Sequence, residues 1–447
     1  MSLLIKNGTL INEGISFIGS ILIENELIAG IYSDSDELPS ADKVIEADGM
    51  IVIPGVIDDQ VHFREPGNTH KGDISSESAA AVLGGVTSYM DMPNNTPSAT
   101  TLDSIEVKNN IAQKNSFANY SFYLGATNSN IEEILKANPG ETCGLKVFMG
   151  SSTGNMLVDD SQSLKDIFEK SKLLIATHCE YEPIIKANLA EAILRYGEDN
   201  IPFGSHPGIR SREACIESTK RAIELAIKYN TRLHILHIST AEEIELIKEA
   251  KKHNPGITGE VCVHYMLFDS RDYEKYGSKI KCNPSIKESS DREAIIKAVK
   301  EGVIKVVATD HAPHTIEEKS GNYMKSPSGL PLVQHSLQIM WNLHKEGRFT
   351  AEEVVDRMCH SPALNFKISK RGFLKIGYYA DVVVLNPYKN DSYSVDNPAY
   401  KCGWSPLTEI TLTSTIAHTF VNGEHVVDNG KLTGIIAGKK LKFEYGK

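Results

Sequence analysis

Between residues 51 and 310 the chain carries eight short apolar, β-branched runs, at 51–57, 86–92, 118–125, 144–149, 172–178, 232–238, 257–263 and 303–309. Most are separated by polar stretches of helical period, such as Ser211 to Lys228 and Ala241 to Lys252. Buried-type strands alternating with helices specify an α/β fold, and eight of them within about 250 residues specify a (β/α)8 TIM-like barrel. A doubly wound open sheet is the competing arrangement. It is disfavoured because the notable polar residues follow several different runs, and a barrel gathers its chemistry at the C-terminal ends of its strands.

The flanks read differently. The first fifty residues alternate as short strands, Leu3 to Ile5, Ser20 to Ile23 and Ile28 to Ile31, with Asn7-Gly8 as a turn between strands. After a helix from Ala351 to Met358, strands return at Asp381 to Leu385 and Ile416 to Val421, with turns at Ile376-Gly377 and Asn422-Gly423. Both ends are therefore expected to pair into one small β-sandwich. The expected division is 1–50 with 365–447 as the sandwich domain and 51–364 as the barrel.

Charge and cysteine content narrow the function classes. The 47 Lys and Arg against 58 Asp and Glu leave a formal charge of −11 with no compensating basic block, which disfavours a nucleic-acid partner. No stretch approaches 18 uninterrupted apolar residues, and Met1 to Asn12 does not read as a secretion signal, so a cytosolic protein with no membrane partner is expected. The seven cysteines contain no Cys-x-x-Cys pair, which argues against a disulfide framework or zinc ribbon and for reduced, buried thiols.

The first barrel run leads into Gln60, His62 and Arg64, which an extended chain points to one side. His178 closes the run ending at Thr177, His237 the run ending at Leu236, and Asp310 the run ending at Thr309. Imidazoles and a carboxylate from four strand ends converging on one mouth suit zinc or a similar first-row metal. Asp310 is placed to take the proton of an attacking water and pass it to a leaving nitrogen. Arg64 offers a planar fork suited to a carboxylate. Each of these residues alone reads as a satisfied core or loop residue; only the set reads as a site.

The blocks Pro54 to Gly67, Met92-Pro93-Asn94, His234 to Thr240, Lys281-Cys282-Asn283-Pro284, Ala308 to His314 and Cys402 to Pro406 resemble, in order, the signature blocks of dihydroorotases of the amidohydrolase superfamily. The resemblance implies reversible hydrolysis of dihydroorotate to N-carbamoyl aspartate, a step of pyrimidine biosynthesis, by a homodimer that uses zinc. It implies that Lys146, N6-carboxylated by CO2 or bicarbonate, joins His62, His178, His237 and Asp310 as a metal ligand. By the same resemblance Arg64, Asn94 and His314 hold the substrate carboxylate and Asn283 meets the ring. The loop Ser151 to Asn155 resembles a lid, with Ser152 or Thr153 as a substrate contact.

One position departs from the family pattern. Where the resemblance calls for His-x-His the chain has Gln60-Val61-His62, and a neutral amide oxygen is a weaker ligand than imidazole. One metal is therefore expected to bind firmly through Lys146, His178 and His237, and a second near His62 and Asp310 only weakly. The resemblance leaves two alternatives open: a non-catalytic dihydroorotase-like partner of aspartate transcarbamoylase, or another cyclic amidohydrolase such as an allantoinase or hydantoinase.

Overall fold

The computed structural model describes residues 2–150 and 156–445. The chain begins with β1 (Ser2–Asn12), β2 (Ile15–Glu24), β3 (Leu27–Ser33), β4 (Lys43–Glu46) and β5 (Ile51–Pro54). The barrel strands follow: β6 (Val56–Val61), β7 (Val86–Asp91), β8 (Asn119–Phe122) running on as β9 (Leu124–Gly125), β10 (Leu145–Phe148), β11 (Ile175–His178), β12 (Leu233–Ile235), β13 (Ile257–Cys262) and β14 (Val306–Ala308). The chain ends with β15 (Val382–Asn386), β16 (Thr415–Val421), β17 (Glu424–Asp428) and β18 (Lys431–Leu432).

The barrel strands are parallel from β6 to β8 and from β9 to β14, and helices cross between them. The ring closes where Val61 bridges in parallel to His311 and the His62 N–H donates to the His311 carbonyl at 2.7 Å. The barrel reading of the sequence holds. Helices start where capping boxes dictate: Thr240 and Glu243 satisfy each other's backbone N–H groups before Ala241–Ala250, as Asp73 and Ser76 do before Ile74–Leu83.

Two local expectations are corrected. The run 51–57 is split, because β5 joins the outer sheet and only from Val56 onward does the chain enter the barrel. Periodicity cannot detect such a break, since both halves are buried. Asn7-Gly8 is no turn between strands but a bulge within β1, with the register shifting between Ile5 and Gly8. A Cβ on Gly8 would stand 2.4 Å from Val52 Cγ2, so only glycine lets β1 pass this close to β5. Asn422-Gly423 does turn the chain, with positive φ at both residues, as a tight hairpin requires.

Both chain ends enter one nine-stranded mixed sheet in the order β18-β17-β16-β15-β5-β1-β2-β3, with β4 beside β1. Its β3 edge is tied back to the segment just before β15 where Ile28 N–H donates to Tyr378 O at 2.9 Å and Ala380 N–H to Glu26 O at 2.8 Å. The sheet thereby closes over its own apolar cluster, which includes Ile5, Ile21, Val52, Val382 and Phe420. A buried polar knot ties it to the barrel: Asn119 of β8 donates to Asp381, and Asn422 donates back to Asn119.

A buried ion pair sets the barrel rim. Lys108, on the helix Leu102–Asn115, places Nζ 2.5 Å from Asp91 Oδ2, and both side chains are almost fully buried. Asp91 also accepts the Phe63 N–H at 2.7 Å, while Lys108 donates to Met92 O and Asn95 Oδ1. One pair thus fixes the backbone beside His62 and Arg64 together with the loop that carries Asn94. Lys108→Met leaves Asp91 charged and unpaired in the core, so a loss of about 3–5 kcal/mol in unfolding free energy is expected from urea titration. An unchanged midpoint would show that the pair contributes nothing to stability.

Candidate active site

A cavity of about 280 Å³ opens at the C-terminal end of the barrel, lined by Gln60, His62, Arg64, Asn94, Lys146, His178, His237, Asn283, Asp310 and His314, with Phe148, Ala312 and residues 327–329 completing the wall. All nine residues that the sequence assigned to metal and substrate border this one space. Ser152 and Thr153 lie outside the described residues.

The backbone that delivers them is less regular than the pleat suggests. Arg64, His237 and Asp310 have φ of 69°, 40° and 48°, left-handed values that cost a non-glycine residue about 1–3 kcal/mol each. Arg64 therefore reaches the cavity by a backbone turn and not by strand alternation. Asp310 is supported from Thr309, whose hydroxyl donates to Asp58 and accepts the His311 N–H.

His178 Nδ1 and His237 Nε2 stand 2.9 Å apart. His178 Nε2 donates to Glu180 Oε2 at 2.8 Å, so its Nδ1 carries a free lone pair aimed at the same point as His237. A carboxylate on the far nitrogen is the usual support of a metal-ligating histidine. Burial would raise the Glu180 carboxyl, but the Arg210 guanidinium and the His178 hydrogen bond outweigh it and hold it at about 2. Burial pushes both imidazoles down, His237 strongly, which keeps them neutral. Lys146 is buried beside them, its ammonium 4.6 Å above the Phe148 ring, and burial lowers it to about 8.

On the opposite wall His62 Nδ1 meets Asn94 Oδ1 at 2.7 Å and His62 Nε2 meets Asp310 Oδ1 at 3.0 Å. Burial would raise Asp310, yet the hydrogen bond and charge of His62 prevail and its carboxyl lies below the ordinary value. Gln60 turns its amide nitrogen to the same Asp310 oxygen at 3.2 Å and its oxygen to Cys262 Sγ at 3.9 Å. It is thus a donor to Asp310. This donor set fits a metal ion: converging imidazole lone pairs, a carboxylate, and an amine which, among the described residues, has no hydrogen-bond partner.

Beside this cluster lies a cationic corner. Arg64 Nε donates to Pro313 O at 3.0 Å, and Nη2 lies 3.1 Å from His314 Nε2. Lys71 donates to His314 Nδ1, and His314 Nε2 donates to Ser328 O, both at 3.1 Å. Burial, with Arg64, Lys71 and Lys319 nearby, drives His314 far down, so it stays neutral. The wall at 327–329 is held by two buried lysines: Lys319 Nζ donates to the carbonyls of Pro327 and Gly329, and Lys281 Nζ to those of Tyr323 and Ser326.

Several supporting residues escaped the sequence reading. Glu180 sits two residues beyond His178, and this i, i+2 spacing was the available clue. Glu260 accepts the His237 N–H and approaches His234 Nε2 at 3.4 Å, which in turn is 3.1 Å from Asp59. His264 is buried with both ring nitrogens unpartnered among the described residues. Nothing local in the sequence marks it, since it follows β13 within an apolar stretch. Neither Glu260 nor His264 borders the cavity.

Comparison with known proteins agrees with this architecture. The model of the amidohydrolase family matches residues 51–426, and the chain belongs to that family. A dihydroorotase of Methanosphaera stadtmanae is 32% identical over 410 residues, covering 91% of this chain and 92% of its own. An allantoinase of Bacillus velezensis is 32% identical over 391 residues, covering 86% and 85%. Among solved structures, an L-hydantoinase (dihydropyrimidinase) from Arthrobacter aurescens superposes with a TM-score of 0.93 at 25% identity, covering 98% of this chain and 99% of its own.

The His178–Glu180 contact has a measurable consequence. Glu180→Gln keeps the shape but removes the charge that orients the imidazole, so zinc affinity is expected to fall about 10- to 100-fold in a competition titration. Affinity equal to wild type would mean that His178 needs no such support.

Proposed function

We propose that this protein is a metal-dependent cyclic amide hydrolase acting on dihydroorotate, opening its ring reversibly to N-carbamoyl aspartate. The observation that carries this reading is the sharing of one cavity by the His178, His237, Lys146 and Asp310 cluster and the Arg64 guanidinium. An uncharged cyclic amide gives a buried guanidinium no partner, whereas a ring bearing a carboxylate does.

The metal ligands on this reading are His178, His237 and the N6-carboxylated Lys146, with His62 and Asp310 across the cavity. Bare lysine is a poor ligand, and its carbamate supplies an anionic oxygen donor; a depressed amine such as Lys146 provides the neutral form that adds CO2. A dication held by these residues would supply Lewis-acid polarisation of the ring carbonyl and a water of lowered pKa. Asp310 takes the proton of the attacking water and delivers it to the leaving ring nitrogen. Arg64, Asn94 and His314 hold the substrate carboxylate, and Asn283, whose Oδ1 is buried without a hydrogen-bond partner among the described residues, meets the ring.

The substrate assignment is tested by Arg64→Ala. Loss of a buried charge-assisted pair typically costs about 2–5 kcal/mol, so kcat/KM for dihydroorotate is expected to fall by that equivalent while an uncharged hydantoin is largely spared. Equal losses on both would overturn the assignment in favour of an uncharged cyclic amide, the direction in which the allantoinase and hydantoinase similarities lean. No turnover of either substrate by metal-loaded wild type would overturn the enzyme reading itself.

Gln60 bears on the metal count. Its amide donates to Asp310 and its oxygen faces Cys262, so the second metal position lacks an imidazole and is expected to fill weakly. Zinc titration of wild type and Gln60→His should show the variant gaining a tight equivalent in the barrel. Two tight barrel metals in wild type would show that the glutamine ligates.

A further inference from the structure

We propose that His418, His425 and Asp428 form an accessory metal site on the β16–β17 hairpin, taking a first-row divalent cation of the zinc type. None of the three borders the barrel cavity, so the inference stands apart from the proposed reaction.

The hairpin register makes the site. His418 pairs with Asp428 and Thr419 with Val427, but Phe420 pairs with His425, which leaves Val426 as the extra residue of a bulge. Cross-strand partners point to the same face. On a regular strand His425 and Asp428, three residues apart, would face opposite sides; the bulge turns both to the face that carries His418 and Phe420. Two imidazoles and a carboxylate are thereby assembled from eleven residues of chain, 418 to 428.

The donor atoms already have the spacing of a ligand set. His418 Nδ1 is 3.2 Å from His425 Nε2 and 3.3 Å from Asp428 Oδ1, and the remaining edge of the triangle is 3.9 Å. Tetrahedral donors at the usual 2.0–2.2 Å from zinc stand about 3.3–3.6 Å apart, so the long edge closes slightly on binding. Both rings are held in advance. The His425 ring stacks on Phe420 with centroids 4.5 Å apart, and the His418 side chain is 7% exposed. The Asp428 side chain is 43% exposed, which leaves water to complete the coordination on that side.

One group opposes the ion. The Lys43 ammonium lies 3.0 Å from His425 Nδ1, on the ring edge away from the other two donors. Lys43 is exposed, and it must swing towards solvent as a cation binds. This opposition separates a metal site from a merely structural hydrogen-bonded cluster. Removing the lysine strengthens cation binding in the first case and does nothing to it in the second.

The test is zinc stoichiometry and affinity of the full chain, by metal analysis after equilibrium dialysis, with cobalt(II) absorption as a second readout. Wild type is expected to hold one zinc more than His425→Gln, and Lys43→Gln to hold that zinc more tightly than wild type. His425→Gln should weaken the site on the order of 100-fold while leaving hydrolysis of cyclic amides unchanged. Should His425→Gln fail to fold, Asp428→Ala, at the exposed corner, serves instead. Equal stoichiometry in wild type and both ligand variants, or no effect of Lys43→Gln, overturns the site. Counting metals in the His425→Gln background also isolates the barrel, so failure here and failure of the catalytic reading are read separately.

Discussion

Closure of the barrel between β6 and β14 is the contact on which the site depends. At that seam the His62 N–H meets the His311 carbonyl, and the Thr309 hydroxyl and N–H meet the Asp58 carboxylate across the interior. Burial drives Asp58 up to about 7, even against the hydrogen bonds from Thr309 and Gln60. The first and last barrel strands thereby deliver Gln60, His62, Arg64, Asp310 and His314 to one mouth.

Around that seam the protein gathers charges that an apolar interior would reject singly. Lys146, Arg64, Lys281 and Lys319 are held below their ordinary values by burial, and three of them sit against fixed partners: backbone carbonyls for Lys281 and Lys319, and the Pro313 carbonyl with Asp310 nearby for Arg64. Lys146 is the exception, with an aromatic face as its neighbour. A buried cation with so little compensation is costly, and on the proposed reading conversion to an anionic carbamate joined to a metal ion would remove that cost. Three left-handed residues at the same rim add strain that the surrounding hydrogen bonds hold in place, as functional sites often require.

The outer sheet takes part in this rigidity. Its buried polar knot grips β8, and the Thr419 hydroxyl donates to Val82 O, at the end of the helix leading into β7. The second tie acts just ahead of β7, whose C-terminal end leads to Asn94 on the cavity wall. The hairpin that carries His418 and His425 is thus continuous with the element that braces the barrel, which makes an ion bound there a brace on the same sheet.

Much of this was legible from the order of residues alone. Eight apolar runs separated by helical stretches determine a barrel because each strand, buried on both faces, must be apolar throughout. A His, Lys or Asp at or near the end of such a run stands out for the same reason. Asn422-Gly423 was likewise legible as a turn, since few residue pairs accept two positive φ angles, although the same pair at Asn7-Gly8 became a bulge within one strand. What the order of residues left undecided depends on distance through space. Whether 51–57 is one strand or two rests on which sheet binds its edge, and Glu260 and His264 acquire meaning only from neighbours that are distant in the chain, as Glu180 does from Arg210. The bulge at Val426 that brings His425 beside Asp428 is a matter of register, and register is settled by the partner strand, not by the strand's own composition.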